Sequence, residues 1–219
     1  MTRPDRGLTL LECVIAILVV NLTLAMLAAP LLLVAATRLR NNRINQATEI
    51  ARGEIDRLRV MMEQGVTVRG TSTSLLPPAS AVAATLGNAD ALSTQPPPTG
   101  PNPIASCTLP SSATMTCERQ LNNTRFAVQI YRGQVVTDGN GLVLGYPVQV
   151  RVYSAEALPV PPDAVSSGQP IGQATAMMTS GGPESERRPL VVLTTEIVRA
   201  DAAETLSYLK PSTPKPSTP

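Results

Sequence analysis

Glu12 is the first residue able to do chemistry. It stands at the head of a stretch without charge that runs from Cys13 to Ala36. A carboxylate in such a place is costly to desolvate, about 2.5–3.5 kcal/mol at the centre of a membrane helix and less near an end. It calls for a cationic partner, because pairing offsets lost hydration. Cysteines are the second candidates. Cys107 and Cys117 enclose a short loop, and in an exported domain such a pair is expected to form a disulfide contributing about 2–3 kcal/mol. Cys13 lies in the apolar run and is expected to be a free, buried thiol acting as a small hydrophobe. The chain of 219 residues contains no histidine. That removes Ser-His-Asp triads, Cys-His dyads and histidine metal sites. No nucleophile–base pair, metal-ligand cluster or phosphate-binding loop is visible, so the expectation is a non-enzyme without cofactor or metal. The charge run of Glu184, Glu186, Arg187 and Arg188 reads as solvated surface.

The elements that position these residues follow from hydrophobic patterning. Residues 1–7 are short and polar, with Arg3 and Arg6. The apolar run of about 24 residues would rise roughly 36 Å as a helix, enough for a hydrocarbon core of about 30 Å. A secretory signal core is shorter, at about 7–15 residues, so length leaves a signal anchor open. Past Ala36 the residues Ile44, Ala47, Ala51, Ile55, Leu58 and Met62 recur at steps of three and four. That is an apolar stripe on a helix whose other face carries Arg40, Arg43, Glu49, Arg52, Asp56, Arg57 and Arg59. One helix is therefore expected from about Leu8 to Gln64, kinked or broken by Pro30 and stopped at Gly65.

Arg6-Gly7-Leu8-Thr9-Leu10-Leu11-Glu12 followed by a long apolar run resembles the class III signal of type IV pilins and pseudopilins, the minor ones in particular. The likeness covers Arg6 to about Glu63 and is absent beyond. It implies cleavage between Gly7 and Leu8 by a prepilin peptidase on the cytoplasmic side, and methylation of the new Leu8 amine. Leu8 stands where the family most often has Phe, which bears on methylation rather than on cleavage. It also implies that Glu12 pairs with the terminal amine of a neighbouring subunit during assembly. Pro30 sits where pilin helices often carry a proline. Arginines on the two flanks of the run, Arg3 and Arg6 before and Arg38, Arg40 and Arg43 after, weakly favour the opposite orientation.

The remainder reads as a loop-rich β domain. Residues 65–123 are rich in Pro, Ser and Thr, with a short helix expected near 79–86 and the cysteine loop at the end. Strands are expected over 124–132, 142–153 and 190–198, with Asp138-Gly139-Asn140-Gly141 as a hairpin turn and Pro147 marking an edge or a bulge. Residues 158–189 form a Pro- and Gly-rich connection, and 201–219 an extended or disordered tail. Aromatics make up 2% of the chain, so large core anchors are few.

The expectation is thus an α+β fold: a leader at 1–7, a membrane or filament-core helix at 8–36, its amphipathic continuation at 37–64, the loop region at 65–123, an antiparallel β domain at 124–200, and the tail. By resemblance the function is an assembly subunit of a pilus or of a type II secretion-like machine. Its partners would be prepilin peptidase, other pilins or pseudopilins, an inner-membrane platform protein and membrane lipid. An assembly ATPase would supply energy from the cytoplasm. Its location would be the inner membrane, with the C-terminal domain outside the cytoplasm, and then the filament. The alternative is a membrane-tethered or tip-located module binding DNA, polysaccharide or a surface. A net charge of +2 and the lack of Trp lend no support to nucleic-acid or sugar stacking.

Overall fold

The computed structural model describes residues 10–65, 75–99, 103–105, 107–158 and 188–200; within them the side chains of 27–30, 33 and 157 are not described. The leader, residues 66–74, most of the 158–189 connection and the 201–219 tail lie outside the described residues. The chain divides into two compact units, Met1–Asn42 and Arg43–Pro219.

Helix α1 spans Leu10–Glu63 and runs through Pro30 as one element, so of the expected kink or break a break does not occur. It ends as its sequence predicts. The Gln64 and Gly65 amides bond back to the carbonyls of Val60, Met61 and Met62. Gly65 has a φ of +83°, the left-handed conformation that terminates helices and that glycine adopts without strain.

In the second unit, α1 packs through the predicted stripe. Ala47, Ala51, Ile55, Leu58 and Met62 are buried and Ile44 is half-buried. They meet one face of an antiparallel sheet built from β1 (Cys117–Leu121), β2 (Thr124–Arg132), β3 (Val136–Thr137), β4 (Val143–Ser154) and β5 (Val191–Val198). β4 is central, flanked by β2 and β5, with β3 pairing its first residues. The three expected strands are present within a residue or two at their ends, and they pair in sequence order. β1 and β3 are additions. Phe126, Val128, Ile130, Tyr146, Val148, Val150, Val152 and Ile197 form the core against the helix.

Two turns differ from expectation. The Asp138–Gly141 turn joins β3 to β4 rather than β2 to β4. Asp138 Oδ1 accepts the amides of Asn140 (2.9 Å) and Leu142 (2.7 Å), which holds that turn. The turn between β1 and β2 is Asn122-Asn123, both at positive φ (48° and 62°). Two left-handed residues make the tight turn whose twist suits a hairpin, and Asn tolerates that region better than most.

Pro147 is a correction. It lies in the central strand, not at an edge or a bulge. Its carbonyl accepts the Gly133 amide (2.9 Å), so its backbone faces the gap between the end of β2 and the start of β3. A residue's amide and carbonyl point the same way in a strand. The missing N–H therefore falls where the ladder is already interrupted.

Residues 75–116 are not a solvent excursion. Ala84, Leu92 and Ala113 cover the second face of the sheet, packed on Tyr131, whereas Leu76 and Leu109 join the core on the helix side. The expected helix at 79–86 is absent; a 3-10 helix forms instead at Ala89–Thr94. β2 and β4 are consequently buried on both faces.

Candidate functional site: the exposed apolar half of the helix

Most exposed apolar residues lie in the first unit. From Leu10 to Val34 the described large apolar side chains of α1 are between 48% (Val34) and 83% (Leu10) exposed. At about 100° per residue, Val14, Ile15, Ile17 and Leu18 already point to every side of the helix. An apolar surface of this extent marks an interaction or membrane site. Burying each Leu, Ile or Val yields about 1.5–3 kcal/mol, so the whole run represents tens of kcal/mol. The amphipathic half of α1 has no such surplus, because its stripe is covered by the sheet.

Glu12 is the lone charge from Leu10 to Thr37, and it lies exposed in the first turn of α1. Cys13 is next to it, free and exposed rather than buried within the chain. Counting only residues whose side chains are described, no helix is long and apolar enough to cross a membrane.

No protein-family model, curated protein or solved structure matches this chain. The reading therefore rests on the residues themselves. Gly7 and Leu8, the expected cleavage pair, lie outside the described residues. Cys107 and Cys117 are joined in a disulfide with their Cα atoms 5.5 Å apart. Among the described residues no group of His, Cys, Asp and Glu could hold a metal.

Two polar clusters in the second unit were not evident from sequence. The first is centred on Arg151, fully buried on β4. Its guanidinium donates to the carbonyls of Leu92 (3.2 Å), Ser93 (2.9 Å) and Gln95 (2.8 Å) and to Gln149 Oε1 (2.9 Å). It also lies 5.2 Å from the Tyr131 ring centroid. Tyr131 donates to Gln149, and Gln149 donates to Thr194 (2.6 Å). Gln129 donates to the Ala113 carbonyl (2.6 Å) and accepts from Tyr153 (3.2 Å). These groups sew residues 92–96 and Ala113 to the sheet, and Arg151 satisfies the carbonyls of Ser93 and Gln95 at the end of the 3-10 helix. With its donors engaged by protein, the cluster is a structural fastening rather than a binding site. Desolvation raises the Tyr131 hydroxyl and pushes those of Tyr146 and Tyr153 up to about 12. Burial likewise lowers the Arg132 guanidinium.

The second cluster links α1 to the disulfide loop. Glu54, 6% exposed, accepts from Arg57 (3.2 Å) and pairs with Arg119 of β1. Arg119 in turn donates to the carbonyls of Cys107 (2.8 Å) and Thr108 (3.2 Å). A buried carboxylate is tolerated here because two guanidinium groups face it. Glu54 stands between Ala51 and Ile55 on the apolar side of α1, and that placement was the available sequence signal.

Proposed function

We propose that this chain is a pilin-like assembly subunit, a minor pilin or pseudopilin, that rests in the inner membrane and enters a filament through the N-terminal half of α1. The observation that carries this reading is a helix half exposed and apolar on every side, with one carboxylate in its first turn. Such a surface needs lipid at one stage and other apolar helices at the next. The resemblance over Arg6 to Glu12 supplies the route: prepilin peptidase cleaves between Gly7 and Leu8, and Glu12 meets the terminal amine of a neighbour. The sheet and its covering loop then present a folded domain outside the cytoplasm, with no catalysis assigned to it. Glu12→Ala tests the assembly step. The variant is expected to be cleaved and membrane-retained like the parent, yet lost from the sheared filament fraction by tenfold or more. Undiminished recovery of the variant in filaments would contradict the role given to Glu12.

A further inference from the structure

The apolar half of α1 ends abruptly in arginine. Arg38 is exposed and Arg40 half-buried, and Arg43 follows in the sequence with no acidic residue before Glu49. At about 100° per residue, Arg38 and Arg40 point to opposite sides of the helix. Helical ion pairs need an acid three or four residues away, and around Arg38 those places hold Val34, Ala35, Asn41 and Asn42. Among the described residues neither Arg38 nor Arg40 makes an ion pair. Further along the same helix the pattern reverses: Arg57 is paired with Glu54 (3.2 Å) and Arg59 with Asp56 (3.1 Å). The sequence thus supplies acids for Arg52, Arg57 and Arg59 and none within three or four residues of Arg38, Arg40 or Arg43.

We infer that Arg38 and Arg40 form a collar that binds the phosphate groups of anionic phospholipids around the helix. This rests on the membrane reading above and specifies which surface the subunit engages there. Cations on opposite sides of a helix suit an occupant that surrounds it, as headgroups surround a span, better than a partner docked on one face. Guanidinium groups match phosphate geometry in a bidentate way. The collar would fix how deep the helix sits before the subunit is drawn into a filament.

The test uses the full chain, with guanidinium carbons labelled with carbon-13, reconstituted into vesicles of phosphatidylcholine with about one third phosphatidylglycerol. Flotation after an alkaline wash reads insertion, and dephasing of the arginine signal by lipid phosphorus reads phosphate contact. Wild type is expected to float and to show a dephased arginine fraction that falls in R38Q/R40Q by the share of two among the arginines flanking the span, Arg3, Arg6, Arg38, Arg40 and Arg43, while the variant still floats. Equal dephasing in wild type and variant, with both floating, would overturn the collar and leave the membrane reading standing. Equal wild-type dephasing in phosphatidylcholine alone would overturn the preference for anionic lipid. A wild-type chain that fails to float would overturn the membrane reading and the collar with it.

Discussion

At the scale of single residues, Arg151 is the costliest to lose. Arg151→Ala would strand the carbonyls of Ser93 and Gln95 under the covering loop, while that of Leu92 keeps the Gln95 amide and the Tyr131 hydroxyl. Unsatisfied buried acceptors cost about 1–3 kcal/mol each, so the variant is expected to lose about 2 kcal/mol or more in chemical denaturation of the detergent-solubilised chain. Arg125, exposed and 3.8 Å from Glu118, should cost under about 1 kcal/mol when replaced by Ala in the same assay. The tyrosines carry a pH signature. A phenol ionises near pH 10 when unfolded, and burial holds Tyr146 and Tyr153 up to about 12 with Tyr131 also raised. The folded state therefore keeps protons that the unfolded state gives up. Stability is full below pH 10 and falls as pH rises from about 10 through 12. Ultraviolet titration should show three tyrosines ionising late, and normal ionisation of all of them in a folded chain would contradict the burial. None of this was legible in the sequence. A lone arginine in a β-rich run looks like an outward-facing residue, and only the covering loop, whose sequence has no regular period, turns that face inward.

At the scale of elements, the helix was the most legible part. Steps of three and four from Ile44 to Met62 and a stop at Gly65 identify it without ambiguity, because one buried face leaves a periodic trace. Leu58→Ala in that stripe is expected to cost about 2–5 kcal/mol by thermal or chemical unfolding, since Leu58 is 1% exposed between helix and sheet. Val60→Ala two residues on, at 59% exposure, should be near neutral. The three longer strands were legible for the same reason, as alternating or continuous apolar runs. β1 was missed because its inward positions include Cys117 and Arg119, which break the apolar alternation. Pro147 misled because its meaning depends on a neighbour: the proline rule speaks of a missing ladder bond, and here the partner strand stops at that point. The 3-10 helix at Ala89–Thr94 is too short to leave a period.

At the scale of the whole molecule, the two units answer to different surroundings. The second unit holds its own core, with the sheet covered on one face by the amphipathic half of α1 and on the other by Ala84, Leu92 and Ala113. The first unit offers tens of kcal/mol of apolar surface that the chain itself leaves uncovered. That contrast was readable in advance, because a run without charge from Cys13 to Ala36 has no polar face to turn toward water. The cleavage site is legible only as a resemblance, carried by Arg6 through Glu12. The most direct measurement is therefore intact mass with N-terminal sequencing of the protein purified from membranes, with and without prepilin peptidase. The account predicts a mature chain beginning at Leu8 that is lost when the peptidase is absent. A chain that keeps Met1 in the presence of the peptidase, or is cut near Ala36 instead, would contradict it.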